Sequence, residues 1–114
     1  MAQGYEAQVA MVRAFTEDGG YRLFGFDNPT DFRNAQALQN DMTRPSWMAG
    51  RIRDTAGLPR TADIQNRLIE AIDSAFNVQL PSGHGPNVVQ TAAARGHDAF
   101  LSLQRSINAI LRHP

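Results

Sequence analysis

The sequence predicts a mainly-α single domain: a compact bundle of about five helices with a long C-terminal one, and at most a short two-stranded β element. Apolar residues recur at the three-to-four spacing of amphipathic helices through most of the chain. Several of these periodic stretches open on a capping residue or Pro and close at Gly. The chain has 114 residues, 42% of them hydrophobic, and no Cys, so it is long enough to bury one core without disulfides.

Residues 5 to 16 place Tyr5, Val9, Val12 and Phe15 on one side and read as a first amphipathic helix, ended by Gly19-Gly20. Tyr21 to Phe26 lies between that Gly pair and an Asp-Asn-Pro turn, is short and aromatic, and reads as an extended segment. Phe24 and Phe26 can then pair with Val78 as a two-stranded ribbon. Asn28 caps a second helix with Pro29 at its first position and Asp31 at its positive end, and Phe32, Ala35, Leu38 and Met42 share a face down to about residue 42.

Pro45 opens a third helix to Thr55, closed by Gly57, with Met48, Ala49, Ile52 and Ala56 as its apolar side and Trp47 off it. Thr61 caps a fourth, in which Ile64, Leu68, Ile69, Ile72, Ala75 and Phe76 form a broad stripe. A connector rich in Pro and Gly spans 77 to 86. From Asn87 to about Arg112 one stripe runs without a phase break through Val89, Ala92, Ala93, Gly96, Phe100, Leu103, Ile107, Ile110 and Leu111, predicting a single helix about 39 Å long. Gly96 costs on the order of 1 kcal/mol inside a helix, yet it falls among small residues where another backbone can approach.

Charge narrows the function classes. Formal net charge is zero, and residues 1 to 57 hold six Arg against seven acids while 58 to 114 hold five against four. Nucleic-acid binding draws on clustered cations, and Arg51 with Arg53 is the nearest approach to a cluster, so neither DNA nor RNA is expected as a partner. No apolar run is long enough to span a membrane and the first residues lack a basic and an apolar region, so the expected location is cytoplasmic, with delivery into another cell as the alternative. All eleven basic residues are Arg. The absence of Lys fits either a GC-rich bacterial or phage genome or selection against a ubiquitination target.

Motifs for chemistry are sparse. Without Cys, thiolate metal sites and cysteine nucleophiles are excluded. No Gly-x-Ser-x-Gly elbow, Walker loop, complete dinucleotide fingerprint or zincin His pair occurs, and no cofactor or metal is expected. His84 in the Ser-Gly-His-Gly loop, with His97 and Asp98, is the remaining acid–base constellation, although His97 and Asp98 point about 100° apart on a helix. Tyr21, Phe24, Phe26 and Phe32 read as the aromatic plug of a small core. Trp47, off its helix's apolar stripe and one turn before Arg51, can stack under that guanidinium with Asp54 on the same face, and Trp and Arg dominate interface hot spots; the alternative is that this face is a second buried side packed on the N-terminal helix. Ala92 and Gly96 form a small-residue groove.

Two local resemblances do not extend to a family. Ser46-Trp47-Met48-Ala49-Gly50 is similar to the turn of small secreted helical hairpins built on Trp-x-Gly, but two residues separate Trp47 from Gly50 and prolines flank the segment. Residues 68 to 81 look like the end of the second helix of an acyl carrier protein, but Thr61-Ala62-Asp63-Ile64 stands where that family carries its Asp-Ser-Leu.

By elimination, the expected function is a small protein-binding module of accessory, adaptor, inhibitor or effector type. Its partner is another protein, met through Trp47, Arg51 and Asp54 or through the Ala92–Gly96 groove. One alternative is a small enzyme or toxin domain using His84, His97 and Asp98. A second is a structural subunit of a homo-oligomer, self-contacting through Ala92, Ala93 and Gly96.

Overall fold

A computed structural model describes residues 5–39 and 44–114, with Arg44 by its backbone. Among these described residues are six helical elements: α1 (Tyr5–Phe15), α2 (Tyr21–Leu23), α3 (Pro29–Ala37), α4 (Arg44–Ala56), α5 (Ala62–Phe76) and α6 (Pro86–Arg112). A wide turn of π type, Thr16–Gly20, joins α1 to α2. The predicted mainly-α bundle is what forms, and α6 is its spine: the molecule measures 43 × 26 × 25 Å, and 27 helical residues span about 40 Å.

α1 lies along the first half of α6, burying Ala7 and Met11 against Ala92. α5 lies along the second half and α4 packs on α5, so Leu68, Ile72 and Ile52 share one core with Leu103, Ile107 and Ile110. Local signals set the helix starts. The Asn28 side chain accepts from the Asp31 amide at 2.9 Å with Pro29 at the first helical position, and Thr61 accepts from the Ile64 amide at 3.2 Å.

α6 runs unbroken through Gly96 because position 96 is where α1 comes closest. A Cβ there would collide with the Met11 carbonyl oxygen and lie 3.0 Å from the Ala14 methyl. Small residues on both helices, Ala7, Ala10 and Ala14 against Ala92 and Gly96, allow that approach.

Three expectations are corrected. First, of the residues predicted for the core side of α1 only Phe15 is buried, together with Ala7 and Met11; Tyr5 is 65% and Val9 39% exposed, and Val12 is half-buried. The close contact with α6 selects the small-residue face. Second, Tyr21 to Phe26 is no strand, and no strand occurs among the described residues. α2 ends in a glycine cap instead: the Phe26 amide donates to the Tyr21 carbonyl and the Gly25 amide to Arg22, both at 3.0 Å, with Gly25 at φ 80°. The ribbon with Val78 therefore does not form. Third, α3 stops at Ala37, leaving Leu38 85% exposed; Met42 lies outside the described residues.

Candidate binding groove

The predicted Trp47–Arg51–Asp54 face comes apart into three environments. Trp47 is half-buried and packs against the main core, with its ring 6.4 Å from those of Phe24, Phe26 and Phe32. The guanidinium of Arg51 sits over Phe26 instead, 4.3 Å from the ring centre, and its Nε donates to the Phe24 carbonyl at 3.0 Å. Arg51 thus tethers the α2–α3 turn to α4, combining a cation–π contact with satisfaction of a turn carbonyl. Asp54 is exposed and pairs with Arg53 at 3.0 Å and Arg60 at 3.3 Å; the hydrogen bond from Arg53 holds its carboxyl below the ordinary range. Arg51 was to lie over Trp47; the aromatic residues from the α2–α3 turn, distant in sequence, take Trp47 as a core partner and Arg51 as a cover.

The histidines are not brought together. His84 precedes α6 and His97 stands three turns into it, roughly 16 Å of helical rise from Pro86. Each meets a carboxylate from the N-terminal region: His84 Nδ1 lies 3.5 Å from Glu6, whose other oxygen accepts from the Gly85 amide at 3.0 Å, and His97 Nδ1 lies 2.9 Å from Asp18. These two pairs bracket the α1–α6 contact at its ends. Asp98 is exposed beside His97. The acid–base site of His84, His97 and Asp98 is not assembled. Among the described residues no cluster of three or more His, Cys, Asp or Glu could hold a metal ion.

The small-residue groove is occupied. Ala92 and Gly96 are buried under α1, so they offer no free face to a second copy or a partner; Ala93, one residue round the helix, is half-buried.

Among the described residues, hollows flank α1 away from its contact with α6. A cavity of about 490 Å³ opens between α1, α3, α4 and α5, with Met11, Phe15, Phe32, Met48, Ile72 and Phe76 as its apolar lining and Gln8, Gln36, Asp73 and Asn77 supplying polar groups. A second hollow of about 480 Å³, lined by Tyr5, Val9, Arg13, Arg33 and Ala37, shares Gln8, Val12 and Gln36 with the first. Together they make one trough along α1. Beyond Val9 and Arg13 a third hollow of about 310 Å³ runs toward Val89 and Ala93 on α6. Each falls within the range of ligand-binding clefts, and the first combines an apolar lining with a few polar groups.

Sequence reading missed this trough because it took Tyr5, Val9 and Val12 as core. The usable signal was the small-residue spacing Ala7, Ala10, Ala14 on α1, matched by Ala92 and Gly96 on α6. Matching small faces on two helices specify close packing and turn the larger residues outward.

Compared with protein-family models, curated proteins and solved structures, the chain matches none. Among the described residues no helix is long and apolar enough to cross a membrane.

Proposed function

We propose that this chain is a protein-binding module, in an accessory, adaptor, inhibitor or effector role, and that its contact face is the outer side of α1 with the trough between α1 and α3. The observation that carries the reading is the inversion of α1: its small residues pack on α6 while Tyr5 and Val9 stay exposed and Val12 lines the trough. Contiguous exposed apolar surface with a polar rim is the usual mark of an interaction site. Fully burying one such side chain is worth roughly 1.5 to 3 kcal/mol, so a partner covering Tyr5 and Val9 recovers apolar burial that folding leaves unused.

The test is affinity capture with three forms of the chain: wild type, Val9→Arg, and Gln104→Arg on the exposed side of α6. A partner held by wild type and by Gln104→Arg, and lost by Val9→Arg, supports the reading. A partner retained by Val9→Arg and lost by Gln104→Arg puts the contact face on α6 and overturns it.

A further inference from the structure

The trough's shape and charge restrict what can lie in it. It follows α1 from Tyr5 to Phe15, eleven residues or about 16 Å, which is three turns of a facing helix. Its residues Tyr5, Val9 and Val12 recur at the i, i+4, i+7 spacing that meets a helix running alongside. An extended peptide finds no template, because no sheet edge exists among the described residues. The two sides differ in charge. Arg13 and Arg33 line the outer hollow; Arg33 lies 3.8 Å from Glu17 with both side chains about half exposed, and Arg13 makes no ion pair among the described residues. Asp73, beside Asn77, lines the inner cavity.

Resting on the protein-binding reading above, we propose that the occupant of the α1–α3 trough is an amphipathic α-helix of a partner protein, with its apolar stripe on Tyr5, Val9 and Val12 and carboxylates on its edge facing Arg13 and Arg33. The apolar stripe supplies affinity. The carboxylates fix which way the helix runs, since reversal would bring them toward Asp73.

The experiment selects binders from a display library of random helix-favouring peptides about five turns long (~18 residues). Binders are then measured by fluorescence anisotropy against wild type, Val9→Arg, and Arg13→Glu combined with Arg33→Glu. All three altered positions are at least partly exposed, and unchanged circular dichroism confirms that the variants fold. The expected result is enrichment of peptides with apolar residues at i, i+3 or i+4, and i+7 and an excess of Asp and Glu. Their affinity should fall about tenfold or more with Val9→Arg, fall with the double charge reversal, and weaken as salt rises.

Enriched peptides that depend on Val9 but carry no acidic excess, or bind the charge-reversed form equally well, overturn the acidic-helix partner and leave the protein-binding reading standing. Peptides indifferent to Val9→Arg, or no enrichment at all, overturn the helix as the trough's occupant, while the protein-binding reading stands or falls by the affinity capture. Saturable binding of dodecanoate that is lost with Val9→Arg, in the absence of any enriched peptide, assigns the trough to a small anionic amphiphile and overturns the helix.

Discussion

The carbonyl oxygen of Met11 stands against Gly96 so closely that a Cβ at position 96 would overlap it. This one contact fixes the separation of α1 from α6 and the rotation of α1 about its own axis, and thereby decides which of its residues reach solvent. In an exposed helix Gly→Ala gains about 1 kcal/mol. Here the added methyl meets backbone, which cannot rotate away as a side chain would, and overpacking of this kind costs about 1 to 3 kcal/mol or more. Gly96→Ala is therefore expected to lower stability by about 2 kcal/mol, several degrees in Tm for a domain of this size. Chemical denaturation at neutral pH measures it, and a rise in stability would show that the helices do not approach as described.

The two glycine caps differ in a way that separates strain from crowding. Gly25 and Gly57 both close a helix at positive φ, 80° and 73°, each followed by a residue whose amide reaches back five residues to a carbonyl. A Cβ at Gly25 would lie 2.6 Å from Thr55 Oγ1, whereas one at Gly57 meets nothing within 4 Å. Gly57→Ala should then cost only left-handed backbone strain, about 1 to 2 kcal/mol. Gly25→Ala should cost visibly more. Thr55→Ala in the Gly25→Ala background should return part of the excess, and equal costs at both glycines would remove crowding by Thr55 as a cause.

These caps also mark where the sequence was legible. Gly57 was readable because twelve residues of helical periodicity precede it. Gly25 follows a helix of three residues, too short to show a period, so Tyr-Arg-Leu-Phe-Gly-Phe read as a strand although it carries the same cap. α4, α5 and α6 were readable because apolar stripes define their buried faces, and Pro45 and Thr61 mark the starts of α4 and α5. α1 was readable as a helix with Phe15 buried, but Tyr5, Val9 and Val12 were set on its inner face because they are larger than Ala, and the contact with α6 selects for small size. The trough inherits that error: its residues were visible, but their orientation depended on a packing partner some eighty residues away. Trp47 is the reverse case, drawn inward by Phe24, Phe26 and Phe32 from a turn that local periodicity cannot place.

Asp54 gives a prediction with a definite sign. Its carboxyl is held below the ordinary value of 3.8 by the hydrogen bond from Arg53, which outweighs the opposing desolvation, and the charges of Arg53, Arg60 and Arg51 add smaller contributions in the lowering direction. A depressed carboxylate stabilises the fold above its unfolded pKa and loses that contribution as pH falls through the folded one. Asp54→Asn should therefore lower Tm slightly at neutral pH, and the gap from wild type should close below about pH 4. The site is exposed, so the effect is small and shrinks with added salt. Thermal melts between acid and neutral pH would contradict the assignment if the gap widened on acidification.

The inversion of α1 makes the strongest prediction, because hydrophobicity and the fold point in opposite directions. Val9, 39% exposed, is the larger residue; Ala7, fully buried beside Ala92, is the smaller. If the outer face is free in the isolated chain, Val9→Arg leaves stability within about 0.5 kcal/mol of wild type, as surface substitutions usually do. Ala7→Leu, an apolar-for-apolar exchange that raises hydrophobicity, forces extra carbons between α1 and α6 and should cost about 1 to 3 kcal/mol. Urea denaturation of both variants and of wild type distinguishes the two orientations of the helix. A destabilising Val9→Arg with a tolerated Ala7→Leu would return Tyr5, Val9 and Val12 to the core and take away the trough's exposed wall. The expected order leaves Val9→Arg as a folded variant, so a binding loss measured with it reports on the surface of α1 and not on unfolding.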